Sequence, residues 1–133
     1  MTDYKLGAVE SKFAEIVWAH APLSTAELVA LCGEELQWKR TTTYTVLKKL
    51  SEHGLFQLKD KTVTALVSRE EYYGSQSERF VRETFDGSLP AFIAAFTKRK
   101  ALSVEEIAEI RRMIDGDETE DGDFQSESGR GFD

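Results

Sequence analysis

The sequence predicts a mainly α fold that carries one small β-hairpin. Helical patterns fill residues 8–53, β-rich runs follow at 55–67, and helical patterns return after Ser68. Apolar residues make up 41% of the 133 residues and aromatic residues 11%, which is typical of a folded globule. Three helices followed by a two-stranded hairpin is the element order of a winged helix-turn-helix.

The first two helices have clear sequence signals at their ends. An apolar pattern over Ala8–His20 predicts the first helix, and Pro22 ends it because proline lacks an N–H donor and clashes with the preceding turn. Ser24 and Glu27 form an S-x-x-E capping box at the start of the second helix, and we expect Gly33 to end it. Each helix offers one apolar side to a shared core.

The third helix is expected to begin near Lys39 and to end at Gly54, since glycine readily takes a left-handed cap. The pattern then changes to the β-rich runs "LFQLK" and "TVTALVS", which predict a two-stranded wing with Asp60 and Lys61 at its turn. We therefore expect a winged-helix domain over residues 1–67.

Three more helical segments follow the hairpin, two of which begin with the capping boxes Ser68–Glu71 and Ser103–Glu106. They carry a large apolar supply although they have no sheet of their own to cover. One interpretation is a helical subdomain packed on the winged helix; the other, which we favour, is a dimerisation domain over residues 68–115. The side chains assigned to the dimer interface are Phe80, Phe85, Phe92, Phe96, Ile107 and Ile110.

The net charge of −7 is unevenly distributed along the chain. Seven acidic residues and one arginine lie within residues 116–133, a segment without aliphatic side chains that we expect to be an acidic disordered tail. Residues 36–67 carry six basic residues against two acidic ones. Positive charge in that segment is what a phosphate-facing surface needs.

Several protein classes are disfavoured by composition. Cys32 is the only cysteine, so no disulfide can form within the chain. No apolar leader and no apolar run of about 18 residues is present, so we expect a cytoplasmic protein without direct membrane insertion. His20, His53 and Cys32 match no metal-ligand spacing and no catalytic motif occurs, so we expect no metal, no cofactor and no enzyme activity.

The third helix has an unusual composition, because "WKRTTTYTVLKKL" sets four threonines and a tyrosine among basic residues. At 100° per residue, Thr43, Leu47 and Leu50 fall on the core side. Short hydroxyl side chains on the opposite side can approach and hydrogen-bond base edges, while basic residues at the flanks suit phosphates. The predicted base contacts are Thr41, Tyr44 and Thr45, and the predicted phosphate contacts are Arg40, Lys48, Lys49 and Lys61.

Two other interpretations of this helix remain open. The threonines could simply cap and begin a helix, although one threonine would be enough for that. The basic face could also dock an acidic protein partner, which would make the domain a protein-interaction module rather than a DNA-binding one.

The stretch from "AEIVW" to "SEHGL", residues 14–55, resembles the penicillinase-repressor (BlaI/MecI/CopY) family of bacterial winged-helix regulators. The resemblance is carried by "VW" at 17–18, "ELV" at 27–29, Trp38 before the third helix, and T-x-x-T-x-L-x-x-L-x-x-x-G from Thr42 to Gly54. It continues to about Ile114 and leaves the tail outside.

The resemblance implies a homodimeric repressor that binds a palindromic operator of double-stranded DNA with TACA/TGTA-type half-sites. It also implies, for the resistance members, a membrane sensor protease whose signal leads to cleavage in the dimerisation region. That cut falls between Asn and Phe, and the aligned pair here is Ala95 and Phe96. The C-terminal cysteine cluster of the copper-responsive branch has no counterpart, and the wing carries Lys59 and Lys61 where Gly and Arg are frequent.

Overall fold

The computed structural model describes residues 3–116 and confirms the mainly α fold. The elements in chain order are α1 Ala8–His20, β1 Leu23–Ser24, α2 Thr25–Leu36, α3 Arg40–Glu52, β2 Phe56–Lys59, β3 Thr62–Ala65, α4 Arg69–Thr84, α5 Leu89–Arg99 and α6 Val104–Ile114. The chain divides into two compact units, Met1–Gly87 and Ser88–Asp133. Of the tail predicted for residues 116–133, everything after Gly116 lies outside the described residues.

The sheet has three strands, whereas the sequence predicted a two-stranded wing. Strand β1 pairs antiparallel with β3, with Leu23 opposite Val63, so that the strand order is β1-β3-β2. The N–H of Thr25 continues this pairing by donating to the carbonyl oxygen of Lys61 at 3.0 Å. Because β1 has only two residues, it has no alternating pattern that the sequence could reveal.

The predicted hairpin turn at Asp60 and Lys61 is confirmed. Both residues take left-handed backbone conformations, with φ of 53° and 64°. Two consecutive residues with positive φ are typical of the type I′ turn, whose twist matches that of the flanking strands. Lys59 and Thr62 face each other as the last pair before the turn.

The end of α2 differs from the prediction, because the helix continues past Gly33 to Leu36. The left-handed cap is Gln37, with φ of 57°, and the N–H of Trp38 donates to the carbonyl oxygen of Cys32 at 3.2 Å. A glycine inside a helix costs only about 1 kcal/mol relative to alanine, so it does not by itself stop a helix that buries apolar side chains.

One apolar core holds the first unit together. Its buried members are Phe13, Ala14, Ile16, Val17, Leu23, Leu28, Cys32, Leu47, Leu50, Leu55, Phe56, Val63 and Tyr72. Tyr72 belongs to α4 and is 1% exposed. Because α4 contributes this side chain, the compact unit extends to Gly87, beyond the expected boundary at residues 67–68. The functional division at that boundary stays a prediction.

The capping boxes predicted from the sequence are present in the structure. At the start of α2, for example, the Glu27 N–H donates to Ser24 Oγ at 3.0 Å and the Ser24 N–H donates to Glu27 Oε1 at 2.8 Å. The same reciprocal pairs begin α4 and α6. Within residues 3–116, none of the helices is both long enough and apolar enough to cross a membrane.

Helices α5 and α6 contain no buried residue. Their apolar side chains are instead widely accessible, with exposed fractions of 79% for Val104, 74% for Ile114 and 45% for Phe96. Residues 88–116 therefore form helices without a core of their own among the described residues.

Candidate nucleic-acid interface

Helix α3 has the two sides that its sequence predicts. Thr43, Leu47 and Leu50 are at most 2% exposed and belong to the inner side, and Val46 is half-buried next to them. The burial of Thr43 is possible because its hydroxyl lies 3.5 Å from the carbonyl oxygen of Lys39, one turn earlier. These contacts fix which side of α3 faces away from the protein.

The outward side of α3 carries the predicted hydroxyl groups. Thr41 and Thr45 are both exposed, and Thr45 Oγ1 donates to the carbonyl oxygen of Thr41 at 2.9 Å. Since the hydroxyl proton of Thr45 is used by the backbone, its oxygen is left to accept a hydrogen bond. Its methyl group is also available for an apolar contact with a thymine methyl.

Arg40 and Tyr44 are neighbours on one flank of this side. The guanidinium carbon of Arg40 lies 5.3 Å from the centroid of the Tyr44 ring, within the range of a cation–π contact. Tyr44 is half-buried, and Arg40 is exposed. The contact limits the rotamers of both side chains while leaving the guanidinium donors accessible.

The N-terminus of α3 differs from those of the other described helices. The N-cap residue Lys39 makes no side-chain capping bond, and the first turn contains no acidic residue. Each of the other five helices described has a side-chain cap, an acidic residue in its first turn, or both. Two basic residues, Lys39 and Arg40, therefore stand next to the positive end of the helix dipole, an arrangement that an anion would stabilise.

An open groove separates α3 from the wing strand β2. It is lined by Tyr44, Leu47, Lys48, Ser51, Glu52 and Leu58. Leu58 is 44% exposed although it lies on the same strand face as the buried Phe56. Leu58 was not among the residues predicted from the sequence, and strand alternation, which puts it on the face of Phe56, gives no signal of its exposure. Lys48, a predicted phosphate contact, is exposed at the edge of this groove.

The hairpin turn supplies the remaining predicted basic contact. Lys61 is exposed at the turn, and Lys59 is exposed at the end of β2. The backbone of Lys61 is tied to the start of α2 through its carbonyl oxygen, so its position is fixed by the sheet and not by α3. Within residues 3–116, Arg40, Lys48 and Lys61 form no salt bridge with the chain's own carboxylates.

Lys49 is placed differently from the other predicted phosphate contacts. Its ammonium nitrogen lies 2.9 Å from Glu10 Oε2, on the flank of α3 that faces α1. The charge of Lys49 is therefore balanced within the chain, and this flank is not the one that borders the groove. Periodicity could not reveal the pairing, because it joins residues 39 positions apart in the sequence.

The predicted dimer-interface residues fall into both units. Phe80 of α4 and Phe85, its C-cap, place their ring centroids 5.9 Å apart. The ring centroids of Phe92 and Phe96 in α5 are 6.2 Å apart. In α6, Ile107 is 38% exposed and Ile110 is half-buried. Ala95 and Phe96, the aligned cleavage position, are both exposed and lie inside α5.

The described residues offer no cluster for metal binding. No group of three or more His, Cys, Asp or Glu side chains within residues 3–116 could hold a metal ion. Cys32 is fully buried, and burial raises the pKa of its thiol. His20 Nδ1 is 2.9 Å from the carbonyl oxygen of Ile16, one turn earlier in its own helix.

The comparisons with known proteins agree on one family. The sequence profile of the family described as "Penicillinase repressor" matches residues 6–116. The chain is 24% identical to the penicillinase repressor of Bacillus licheniformis over 115 residues, which are 84% of this chain and 90% of that protein. It is 22% identical to the methicillin resistance regulatory protein MecI of Staphylococcus aureus strain Mu50 and 21% identical to that of Mammaliicoccus sciuri, each over 84% of this chain and 94% of the relative.

Proposed function

We propose that this chain, which belongs to the penicillinase repressor family of transcriptional repressors, acts as a homodimer on a palindromic operator of double-stranded DNA. The finding that carries the proposal is the outward side of α3. It combines accessible hydroxyl groups with a basic rim at Arg40 and Lys48, which form no salt bridge with any carboxylate of residues 3–116. One relative is named a penicillinase repressor and another a methicillin resistance regulatory protein, which supports a role in regulating transcription.

In this proposal, Thr41, Tyr44 and Thr45 contact bases in the major groove. Thr45 would act as an acceptor from an adenine or cytosine amino group, since its own proton is donated to Thr41. The phenol of Tyr44 would reach a base edge or a phosphate from the rim of the groove, where Arg40 restrains the ring. Such contacts select sequence, whereas the basic rim does not.

Phosphates are proposed to bind at the start of α3 and at the wing. A phosphate at the N-terminus of α3 would supply the negative charge that the first turn lacks, with Arg40 as its partner. Lys48 and Lys61 would contact the backbone on two different elements. Leu58 of β2, exposed in the groove between α3 and the wing, would then face a deoxyribose of the DNA strand that passes along this groove.

We further propose that two copies pair through the apolar side chains of α5 and α6, and that Phe80 and Phe85 also contribute to the interface. Exposed apolar surface of this kind on consecutive helices is characteristic of an interface between subunits. A two-fold symmetric dimer presents two recognition helices to two half-sites, which is the physical reason for a palindromic operator.

A membrane sensor protease stays a predicted partner. Cleavage at Ala95–Phe96 would cut α5 inside its helical span, Leu89–Arg99, and would remove part of the proposed dimer surface. Proteases bind their substrates in extended form, so α5 would have to unwind at this point. Incubation of the chain with such a sensor, followed by mass determination of the fragments, tests the position directly.

The experiment that tests the DNA-binding function is a gel shift of the purified protein with its own promoter region at two salt concentrations. We expect sequence-specific retardation that weakens as salt rises, because phosphate contacts release counterions. Absence of a shift at low salt would refute the proposal and favour the module that docks an acidic protein partner. Sedimentation at micromolar concentration tests the dimer separately.

A variant that removes one positive charge tests the assignment of Lys48 as a phosphate contact. Lys48→Ala should weaken binding to all sequences and lower the salt slope of log K by about one unit, the value for one phosphate contact. Lys12→Ala is the matched control, since Lys12 is exposed in a groove between α1 and α2. An equal response from the two variants would contradict the phosphate contact at Lys48.

A further inference from the structure

We propose that residues 3–7 form an N-terminal strap that orients α3 through Lys49, which makes Lys49 a positioning residue and not a phosphate contact. The consequence for DNA reading rests on the proposed function, whereas the effect on α3 itself does not. The strap has one attachment to α4 and one to α3.

The attachment to α4 is formed by Tyr72. Its hydroxyl donates to the carbonyl oxygen of Tyr4 at 2.7 Å and accepts from the N–H of Leu6 at 2.9 Å. Because Tyr72 is 1% exposed in the core, it is a fixed anchor for the strap. Arg79, two turns further along α4, donates to the carbonyl oxygen of Asp3 and secures the beginning of the strap.

The attachment to α3 begins with Tyr4. Its hydroxyl lies 2.8 and 2.9 Å from the two carboxylate oxygens of Glu10. Its ring stacks on His53 with centroids 3.9 Å apart and an interplanar angle of 21°. His53 is the C-cap of α3, so the strap touches the end of that helix directly.

Glu10 completes the attachment. Its carboxylate accepts from the N–H of Gly7 at 2.9 Å, from the Tyr4 hydroxyl, and from the ammonium of Lys49 at 2.9 Å. The Glu10 side chain is only 16% exposed, so this group of donors is partly sheltered from water. The Lys49 nitrogen also lies 5.9 Å from the centroid of the Tyr4 ring. Lys49 is thus held from two sides by the strap and α1.

These contacts act on the flank of α3 that lies away from the groove between α3 and β2. Lys49 and His53 belong to its last turn and cap, whereas Thr41 and Thr45 present the proposed reading surface from its first two turns. Fixing the C-terminal end of α3 against α1 and the strap sets the rotation of the helix about its axis. Rotation decides which side chains reach base edges, so loosening it should reduce sequence selection more than general DNA affinity.

The two roles of Lys49 predict opposite results for Glu10→Gln. If Lys49 bound phosphate, removal of the Glu10 charge would release its ammonium and tighten binding to every DNA. If Lys49 positions α3, the same substitution weakens binding to the preferred sequence and leaves random DNA bound as before. The ion pair is partly exposed, so we expect a loss of about fivefold for the preferred sequence.

The experiment uses the full chain with Glu10→Gln, Lys49→Met and Lys49→Arg, and with Lys48→Ala as the matched lysine control. The probes are a random-sequence duplex and a duplex selected from a random pool by the wild-type chain. Glu10→Gln and Lys49→Met should each lose selectivity without a change in salt slope, and Lys49→Arg should restore it. Hydrogen exchange without DNA should show faster exchange in residues 40–52 for the first two variants and unchanged exchange in β2 and β3.

Two results would overturn the proposal. One is a salt slope for Lys49→Met that falls by about one unit, as expected for Lys48→Ala. The other is unchanged exchange of residues 40–52 in both Glu10→Gln and Lys49→Met. A wild-type chain that selects no duplex would instead refute the proposed function, and the exchange measurement would still decide whether the strap holds α3.

Discussion

The two compact units of this chain differ in where their apolar side chains lie. In the described part of Met1–Gly87, thirteen hydrophobic side chains are buried in one cluster formed by α1–α4 and the sheet. In the described part of Ser88–Asp133, neither helix contains a buried residue. Burial of apolar area is the main favourable contribution to folding. The first unit therefore has its own source of stability, whereas the second needs apolar surface from outside the two helices.

The exposed apolar side chains of the second unit indicate a binding surface. Its exposed apolar residues occur on consecutive turns, with Ile107, Met113 and Ile114 accessible on α6. Soluble monomers rarely expose contiguous apolar surface of this kind unless it is used for binding. A second copy of the chain is the partner that we propose, and substitutions in the two units should therefore have different effects.

The largest effect is expected for the core of the first unit. Leu50→Ala removes a side chain that is fully buried at the base of α3, and we expect a loss of about 2–5 kcal/mol in the free energy of unfolding. Urea titration measures it. Thr41→Ala on the exposed side of the same helix is the control and should change stability by about 0.5 kcal/mol or less. A Leu50→Ala loss as small as that of the control would contradict the described core.

A polar substitution in the second unit should act on association instead. Ile107→Asp places a charge in the proposed dimer surface, and we expect dimer dissociation to become at least about 100-fold easier. Sedimentation equilibrium over a range of concentrations measures this change. Glu109→Ala, on the same helix, is the control.

The contrast between the units would be lost if Ile107→Asp unfolded the first unit. Amide exchange of residues 8–65 should therefore be the same in the variant and the wild type at high protein concentration. A variant that remains dimeric at micromolar concentration would exclude Ile107 from the interface.

A smaller effect on the first unit is expected from pH. The Gly7 N–H first, and then Lys49, lower the pKa of Glu10 from its ordinary 4.5 to about 2. A lowered carboxylate pKa stabilises the fold above pH 4.5, and this contribution is lost as the pH falls from 4.5 towards 2. Allowing for solvent screening, we expect it to be about 1 kcal/mol.

Urea titrations at several pH values can isolate the contribution of Glu10. The wild type should be more stable than Glu10→Gln at pH 6, and the difference should shrink as the pH approaches 2. A difference that stayed constant across this range would mean that the Glu10 charge does not stabilise the fold.

The smallest effect is expected at the hairpin turn. Lys61 has a φ of 64°, so Lys61→Gly removes a backbone strain of about 1 kcal/mol and raises the stability of the first unit by up to that amount. It also removes a proposed phosphate contact, so the salt slope should fall by about one unit. Asp60→Gly relieves the same kind of strain at φ 53° but should leave the slope unchanged. Equal slopes for the two variants would argue against a phosphate contact at Lys61.

Local signals predicted most of the secondary structure correctly. The capping boxes at Ser24, Ser68 and Ser103 and the turn at Asp60–Lys61 are found where the sequence places them. They are predictable because each depends on residues within a few positions of one another. Gly33 misled the prediction of the end of α2, since packing of the helix outweighs the weak helix propensity of one glycine.

The sequence by itself determined the mainly α fold, the hairpin and the inner and outer sides of α3, because periodicity and capping are local and repeat along the chain. Only the tertiary structure decided that β1 joins the sheet, that Tyr72 brings α4 into the first core, and that Lys49 pairs with Glu10. Each of these depends on residues that are far apart in the sequence. Their contact is a product of packing, which no local pattern encodes.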